Sequence, residues 1–308
     1  MRPSSGLWVV ATCAALASCS TYRVLDDADA GSGIVDAGSS DAPTLSPKEA
    51  GPPDSGGNDA ADASTSGPPL AQYLVLQLEA DAPNGFQASG AFRDLSPKNQ
   101  PITLTSGTVQ LAFSGTEGAK SVVLGAVGFD VQDSVDFRFG ASDDFLYVAR
   151  TSVSPPEDSA GGCAFRYLAS KYDLDGTRSA MLRTCWKVGA HELIGALVIG
   201  QDTKVIAPAT LSTGFEVVSF GRYLSGTHTE TFAAGQIADA VTTLVDVSAP
   251  GTPLSVGVAR VGGANGSLVG YWPGRLNRFY VYHAPSGTLG PADFARVRDY
   301  VRGAHPIP

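Results

Sequence analysis

From residue 70 onward the apolar residues come in short runs, and the gaps between the runs are too short to hold a crossover helix. That constraint excludes a parallel sheet of βαβ units, because each crossover consumes roughly a dozen residues or more. Antiparallel pairing of short strands is what remains. Ser134–Phe139 alternates, with Val135, Phe137 and Phe139 on one face and Ser134, Asp136 and Arg138 on the other. Phe145–Val148 is apolar on both faces, as a central strand would be. Further β-type runs lie at Tyr73–Leu78, Val109–Phe113, Val122–Val127, Phe165–Ala169, Met181–Val188 and Leu193–Ile199. They continue at Phe215–Phe220, Thr242–Val247, Leu254–Val258 and Leu276–Tyr282. Gly, Pro, Asn, Asp and Ser clusters bound them, and Asn265-Gly266 reads as a tight hairpin turn. One stretch reads as helix. Pro291 suits a first turn, Phe294, Val297 and Val301 recur at helical spacing, and Gly303 is a stop. The pattern predicts an all-β fold, an antiparallel β-sandwich or jelly roll with one short C-terminal helix.

The first 69 residues cannot join that core. Arg2 is followed by an apolar run from Leu7 to Leu16, broken only at Thr12 and Cys13. A bilayer-spanning helix needs ~20 apolar residues, so this run has the length of a signal-peptide core. It ends in Leu16-Ala17-Ser18-Cys19, which resembles the lipobox of bacterial lipoproteins. The resemblance implies cleavage before Cys19 and acylation of Cys19 on its sulfur and its new amino group. Several acyl chains hold a protein on a membrane where one is marginal. Ser20 in place of Asp points to the outer membrane. Residues 20–69 carry −7 and consist mainly of Asp, Ala, Gly, Ser and Pro, with no Phe or Trp. Such a segment cannot bury enough apolar surface to offset its chain entropy. It reads as a disordered tether with an end-to-end distance of roughly 40 Å. Residues 70–308 form the single folded domain.

The charge follows the same division. The chain carries −9 in total, and residues 70–308 only −3. Free nucleic acid is excluded as a partner, because phosphate binding needs clustered Lys and Arg. The predicted partners are a membrane, through the anchor, and a glycan or surface protein.

Two cysteines fall within the folded part, Cys163 and Cys185, with the turn Asp173-Leu174-Asp175-Gly176 midway between them. A symmetric hairpin would set them face to face on neighbouring strands. Two buried thiols are the other reading, but an oxidising compartment favours a disulfide. Without CxxC spacing they make no zinc site.

Several segments, in order, resemble concanavalin A-like, laminin G-like sandwich domains. Asp94-Leu-Ser-Pro-Lys-Asn99 resembles the turn after their first strand, and Val109–Gly115 resembles the strand that follows. Phe145–Arg150 stands where they carry a central strand, though its tryptophan is missing. Gly270–Tyr282 resembles the closing strand, and Leu289–Phe294 the start of the short helix after it, with Asp293 where Glu is usual. The resemblance implies a lectin- or glucanase-type sandwich over nearly all of residues 70–302.

Catalytic signatures fail. His191-Glu192 opens an HExxH pattern, but residue 195 is Gly. No GxSxG elbow occurs, and Gly115–Lys120 is too short for a P-loop. Glycosidases on such sheets need two carboxylates reaching one face of a sugar. Within the predicted strands no Glu has an acid two residues away, so no catalytic residues are assigned. Binding signals are softer. Tyr271 and Trp272 could stack on a sugar, although an edge-packing role suits Trp272 as well. Asp143, Asp144, Asp173 and Asp175 offer turn oxygens of the kind calcium takes, although turn aspartates commonly cap backbone instead. Calcium is the one candidate cofactor. The expectation is a lipid-anchored, non-catalytic recognition or adhesion module, with carbohydrate as the candidate ligand. A polysaccharide-active hydrolase and a passive envelope protein are the alternatives.

Overall fold

The computed structural model describes residues 67–113, 120–154, 164–172, 178–187, 190–199, 202–205, 209–211, 214–242, 244–261 and 265–303. All of them belong to the unit Asp62–Pro308. Among them the chain forms β1 (Leu74–Glu79), β2 (Ile102–Ser106), β3 (Leu111–Phe113), β4 (Lys120–Val123), β5 (Gly128–Val131) and β6 (Asp144–Val153). Next come β7 (Ala164–Tyr172), β8 (Arg178–Lys187), β9 (Ala190–Ile199), β10 (Asp202–Val205), β11 (Ala209–Thr210) and β12 (Glu216–Tyr223). The last strands are β13 (His228–Ala233), β14 (Gln236–Val241), β15 (Leu254–Val256), β16 (Ala259–Val261), β17 (Ser267–Val269) and β18 (Gly274–Ala284), followed by helix α1 (Pro291–Arg302).

The main strands pair antiparallel in two sheets. The first runs β14-β13-β12-β6-β18-β4-β3, with β1 also on β18. The second runs β10-β9-β8-β7-β15-β5-β2, with β11 also on β9. A small hairpin, β16–β17, stands apart from both ladders. The two sheets face each other over one apolar core. The fold is therefore the antiparallel β-sandwich that the short apolar runs predict.

Central strands are buried on both sides. On β6, Phe145, Tyr147 and Ala149 enter the core between the sheets, while Leu146 and Val148 face outward beneath α1. On β18, Phe279 and Val281 face in and Tyr280 and Tyr282 face out. Period-two alternation explains the split, and α1 explains why the outward residues are apolar too. Phe294, Val297 and Val301 are fully buried against this sheet, contributing roughly 1.5–3 kcal/mol each. Glycine lets the layers approach. A Cβ on Gly221 would sit 2.5 Å from the Phe294 ring, and one on Gly195 of β9 would sit 2.1 Å from the Phe220 ring of β12.

Three expectations fail locally. Ser134–Phe139 is not a strand. Phe137 N–H donates to Ser134 O at 3.1 Å and Arg138 N–H to Val135 O at 3.2 Å, which closes a 3-10 turn over Val135–Phe137. Phe137 and Phe139 are still buried, but Val135 is 71% exposed. The described residues of Thr242–Val247 form no strand either. Val247 N–H reaches Phe139 O and Val245 O accepts from Arg222. Asn265-Gly266 is not a two-residue turn, because Val261 pairs with Ser267 across the β16–β17 connection. The two-residue turn lies instead at Ala234-Gly235, both at positive φ (48° and 76°), between β13 and β14.

Candidate functional site

Asp143 and Asp144, expected as cation ligands, diverge. Asp144 starts β6 with no exposure, and its carboxylate accepts from three backbone N–H groups: Ser225 at 3.2 Å, Thr288 at 2.7 Å and Leu289 at 2.9 Å. Burial still holds its pKa above the ordinary value. Asp143 Oδ2 accepts from Gly140 N–H at 2.7 Å and lies 3.1 Å from His283 Nε2. Asp143 precedes β6 and Asp144 starts it, and the two carboxylates accept from N–H groups of different segments. Asp173 and Asp175 lie outside the described residues. Among the described residues no three of His, Cys, Asp or Glu converge as a metal would require. Asp143 and Asp144 both cap backbone N–H groups.

Beside this turn Arg222 is fully buried on β12. It donates to Asp143 O at 2.9 Å, Val245 O at 2.6 Å and Gly140 O. Burial pulls its pKa down to about 10. The arginine thus stitches three loop carbonyls together at one end of the sandwich.

Asp94 does similar work at the turn that follows β1. Its Oδ1 accepts from Gln77 and Ser96 N–H, both at 2.9 Å, and its Oδ2 from Ser96 Oγ at 2.8 Å and Gln100 N–H at 2.7 Å. The other two buried carboxylates are engaged as well. Asp130 accepts from Ser255 Oγ at 2.7 Å and pairs with Arg260 at 2.7 Å, and Glu230 pairs with Arg298 of α1. Glu79 and Asp81, an acid pair two residues apart, stand where β1 ends. Tyr280 and Gln77 donate to Glu79, and Arg278 pairs with Asp81 at 3.0 Å.

The expected aromatic pair also separates. Trp272 is fully buried, and its indole N–H donates to Thr151 Oγ1 at 3.1 Å and Ser152 O at 3.2 Å. It offers no face for stacking, so the binding role expected of it is replaced by an edge-packing one. Tyr271 is half-buried and lies on the other side of the chain, bridged to Tyr167 of β7. Gly270 permits that approach, since it holds φ at +61° and a Cβ there would meet the Tyr167 ring at 2.7 Å.

The bridge sets Tyr271 next to Tyr167, which belongs to a cluster on the outer face of the second sheet. Tyr167, Met181, Cys185, Ile194, Ala196 and Ala259 pack there, with Phe165 beside them. Arg183 of β8 stands between Tyr167 of β7 and Ile194 of β9 and is 5% exposed. Its guanidinium lies 3.9 Å from the centre of the Phe165 ring. Its Nε has no hydrogen-bond partner, and no carboxylate among the described residues pairs with it. The sequence reading missed this residue. Cys185, 1% exposed, is disulfide-bonded and pairs across the ladder with Phe165 rather than with position 163. The hairpin is already out of the symmetric register beside its turn, where Tyr172 pairs with Ser179, and the irregularity between Tyr167 and Ala169 recovers one residue of that offset. Cys163 and the lipidation candidate Cys19 lie outside the described residues.

No protein-family model matches the chain, and no curated protein sequence matches it. Solved structures do. The binding domain of botulinum neurotoxin serotype G is similar with a TM-score of 0.50 at 10% identity, covering 74% of this chain and 50% of that one. The binding domain of Paraclostridial Mosquitocidal Protein 1 gives a TM-score of 0.49 at 15% identity, covering 75% and 53%. The CBM40 domain of the Ruminococcus gnavus IT-sialidase, bound to alpha2,3 sialyllactose, gives 0.39 at 14%, covering 52% and 83%. The chain spans about half the length of the first two. At such identities the likeness concerns the fold, an antiparallel β-sandwich.

Proposed function

We propose that this chain is a lipid-anchored surface protein whose sandwich recognises a ligand without transforming it, and that the ligand is a carbohydrate. The observation that carries the reading is the fate of the buried acids. Asp94, Asp130, Asp144 and Glu230 are all committed to backbone groups, hydroxyls or buried cations. An acid or base for glycoside cleavage has to be free to exchange a proton with substrate. The order of motifs shared with laminin G-like domains supports the sandwich as a recognition module, although fold alone does not assign function. In this reading Cys19 carries the lipid, residues 20–69 are the tether, and Cys163 is the disulfide partner of Cys185.

The test uses the full-length chain. Labelled fatty acid is expected to enter the wild type and not Cys19→Ala. On a glycan array and a polysaccharide panel, with and without calcium, binding without turnover is expected. Turnover that is abolished by replacing one carboxylate would overturn the reading, as would no binding to any saccharide.

A further inference from the structure

Five cationic side chains are buried among the described residues: Lys171, Arg183, Arg222, Arg278 and Arg298. Four are bonded to acceptors. Lys171 Nζ meets Asp133 Oδ1 at 2.5 Å and Thr252 O at 2.7 Å. Arg222 meets its three carbonyls, Arg278 meets Asp81 and Gly303 O, and Arg298 meets Glu230. Among the described residues Arg183 has only the face of Phe165. Removing a cation from water is costly, and attraction to an aromatic ring offsets only part of that cost. A strand position that merely needed filling would carry an apolar residue, as Met181 and Cys185 do on either side.

We infer that Arg183, stacked on Phe165 and paired across the ladder with Tyr167, is a subsite for the carboxylate of an acidic sugar. The inference rests on the proposed carbohydrate recognition and names the ligand class. A guanidinium presents parallel N–H donors that match a carboxylate in a bidentate pair, and such charge-assisted bonds are the stronger kind. Stacking on Phe165 fixes the plane of the fork in advance. The half-buried Tyr271, bridged to Tyr167 one strand from Arg183, suits the apolar face of a sugar better than an extended acidic peptide. Glu192 stands on the same face of β9, opposite Cys185 across the ladder.

Calorimetric titration of the full-length chain tests this. The probes are a galacturonate tetrasaccharide, its methyl ester, a neutral cello-tetrasaccharide and a tetraglutamate peptide. Methyl esterification and Arg183→Met are each expected to weaken galacturonate binding at least tenfold, with Arg183→Lys retaining part of the affinity. Without ligand, Arg183→Met is expected to unfold no earlier than wild type. Equal galacturonate affinity in wild type and Arg183→Met overturns the inference, as does peptide binding as tight as the sugar's. So does an early unfolding of Arg183→Met that Glu192→Gln reproduces, since that would make the cation's partner internal. If the neutral tetrasaccharide binds wild type and variant alike, carbohydrate recognition stands and the Arg183 subsite falls. If no saccharide binds, both fall.

Discussion

Asp133 holds two cations and a backbone group at once. Lys171, whose side chain is fully buried, meets its Oδ1, while Arg138 at 2.7 Å and Gly251 N–H at 2.7 Å meet its Oδ2. Burial pushes this carboxyl up, but the donors from Arg138, Lys171 and Gly251 together outweigh it and hold the pKa below the ordinary 3.8. A carboxylate lowered in the folded state contributes stability that is full above its unfolded value and is lost as pH falls through the folded one. Asp133→Asn leaves Lys171 buried without its counter-ion, and a cost of about 3 kcal/mol at pH 7 is expected in denaturant unfolding. Asp144 and Glu230, raised by burial, act in the opposite sense. The readout is therefore the difference between wild type and Asp133→Asn, expected to shrink once the pH drops below about 4. Gly195→Ala makes a separate prediction. With the Phe220 ring 2.1 Å from the new Cβ, overpacking is expected to cost about 1–3 kcal/mol. Phe220→Leu is expected to recover part of the lost thermal midpoint. Neither site was legible beforehand. A lone Lys or Gly in a strand does not say what faces it across the ladder or across the core.

At the scale of elements, legibility followed how much of each one's burial came from its own residues. β6, β18 and α1 carry continuous or helically spaced apolar residues and were read correctly, down to Pro291 at the first helical turn and Gly303 at the end. β13 and β14 were missed. His228–Ala233 is rich in Thr and Glu, yet it is buried, with Ala233 in the core between the sheets, Phe232 in the cluster that includes α1, and Glu230 paired with Arg298. Its turn uses Ala234 at φ 48° in place of the Asn that usually signals such hairpins. The opposite error at Ser134–Phe139 came from true alternation in a segment that bends. Asp136 is drawn to Lys98 and Gln100, and the chain turns there. The binding face was half legible. Tyr271 could be singled out by type, but Arg183 could not, because an arginine at every second strand position ordinarily faces water. The β7–β8 hairpin adds a prediction of its own. With Cys163 as the proposed partner of Cys185, reduction is expected to lower stability by about 3 kcal/mol, the loop-closure value for roughly 20 residues. Cys185→Ser is expected to match reduced wild type, and a fully reversible change much below 1 kcal/mol would place the disulfide outside the folding equilibrium.

Over the whole molecule, both sheets contribute to one apolar core, yet their outer faces differ. One is roofed by α1, and the other carries the Arg183 cluster beside the β16–β17 hairpin. A sandwich needs only its inner faces to be stable, which frees the second outer face for contact. The way β1 is held has a mechanical consequence. One edge of β1 pairs with β18 from Leu74 to Glu79. On its other edge Gln77 N–H donates to Asp94 and Gln77 O accepts from Leu95 N–H at 2.9 Å. Any pull on the chain ahead of Leu70 arrives first at this strand. It must break rungs on two sides together, so the Asp94 turn acts as a clasp against tension as well as a cap.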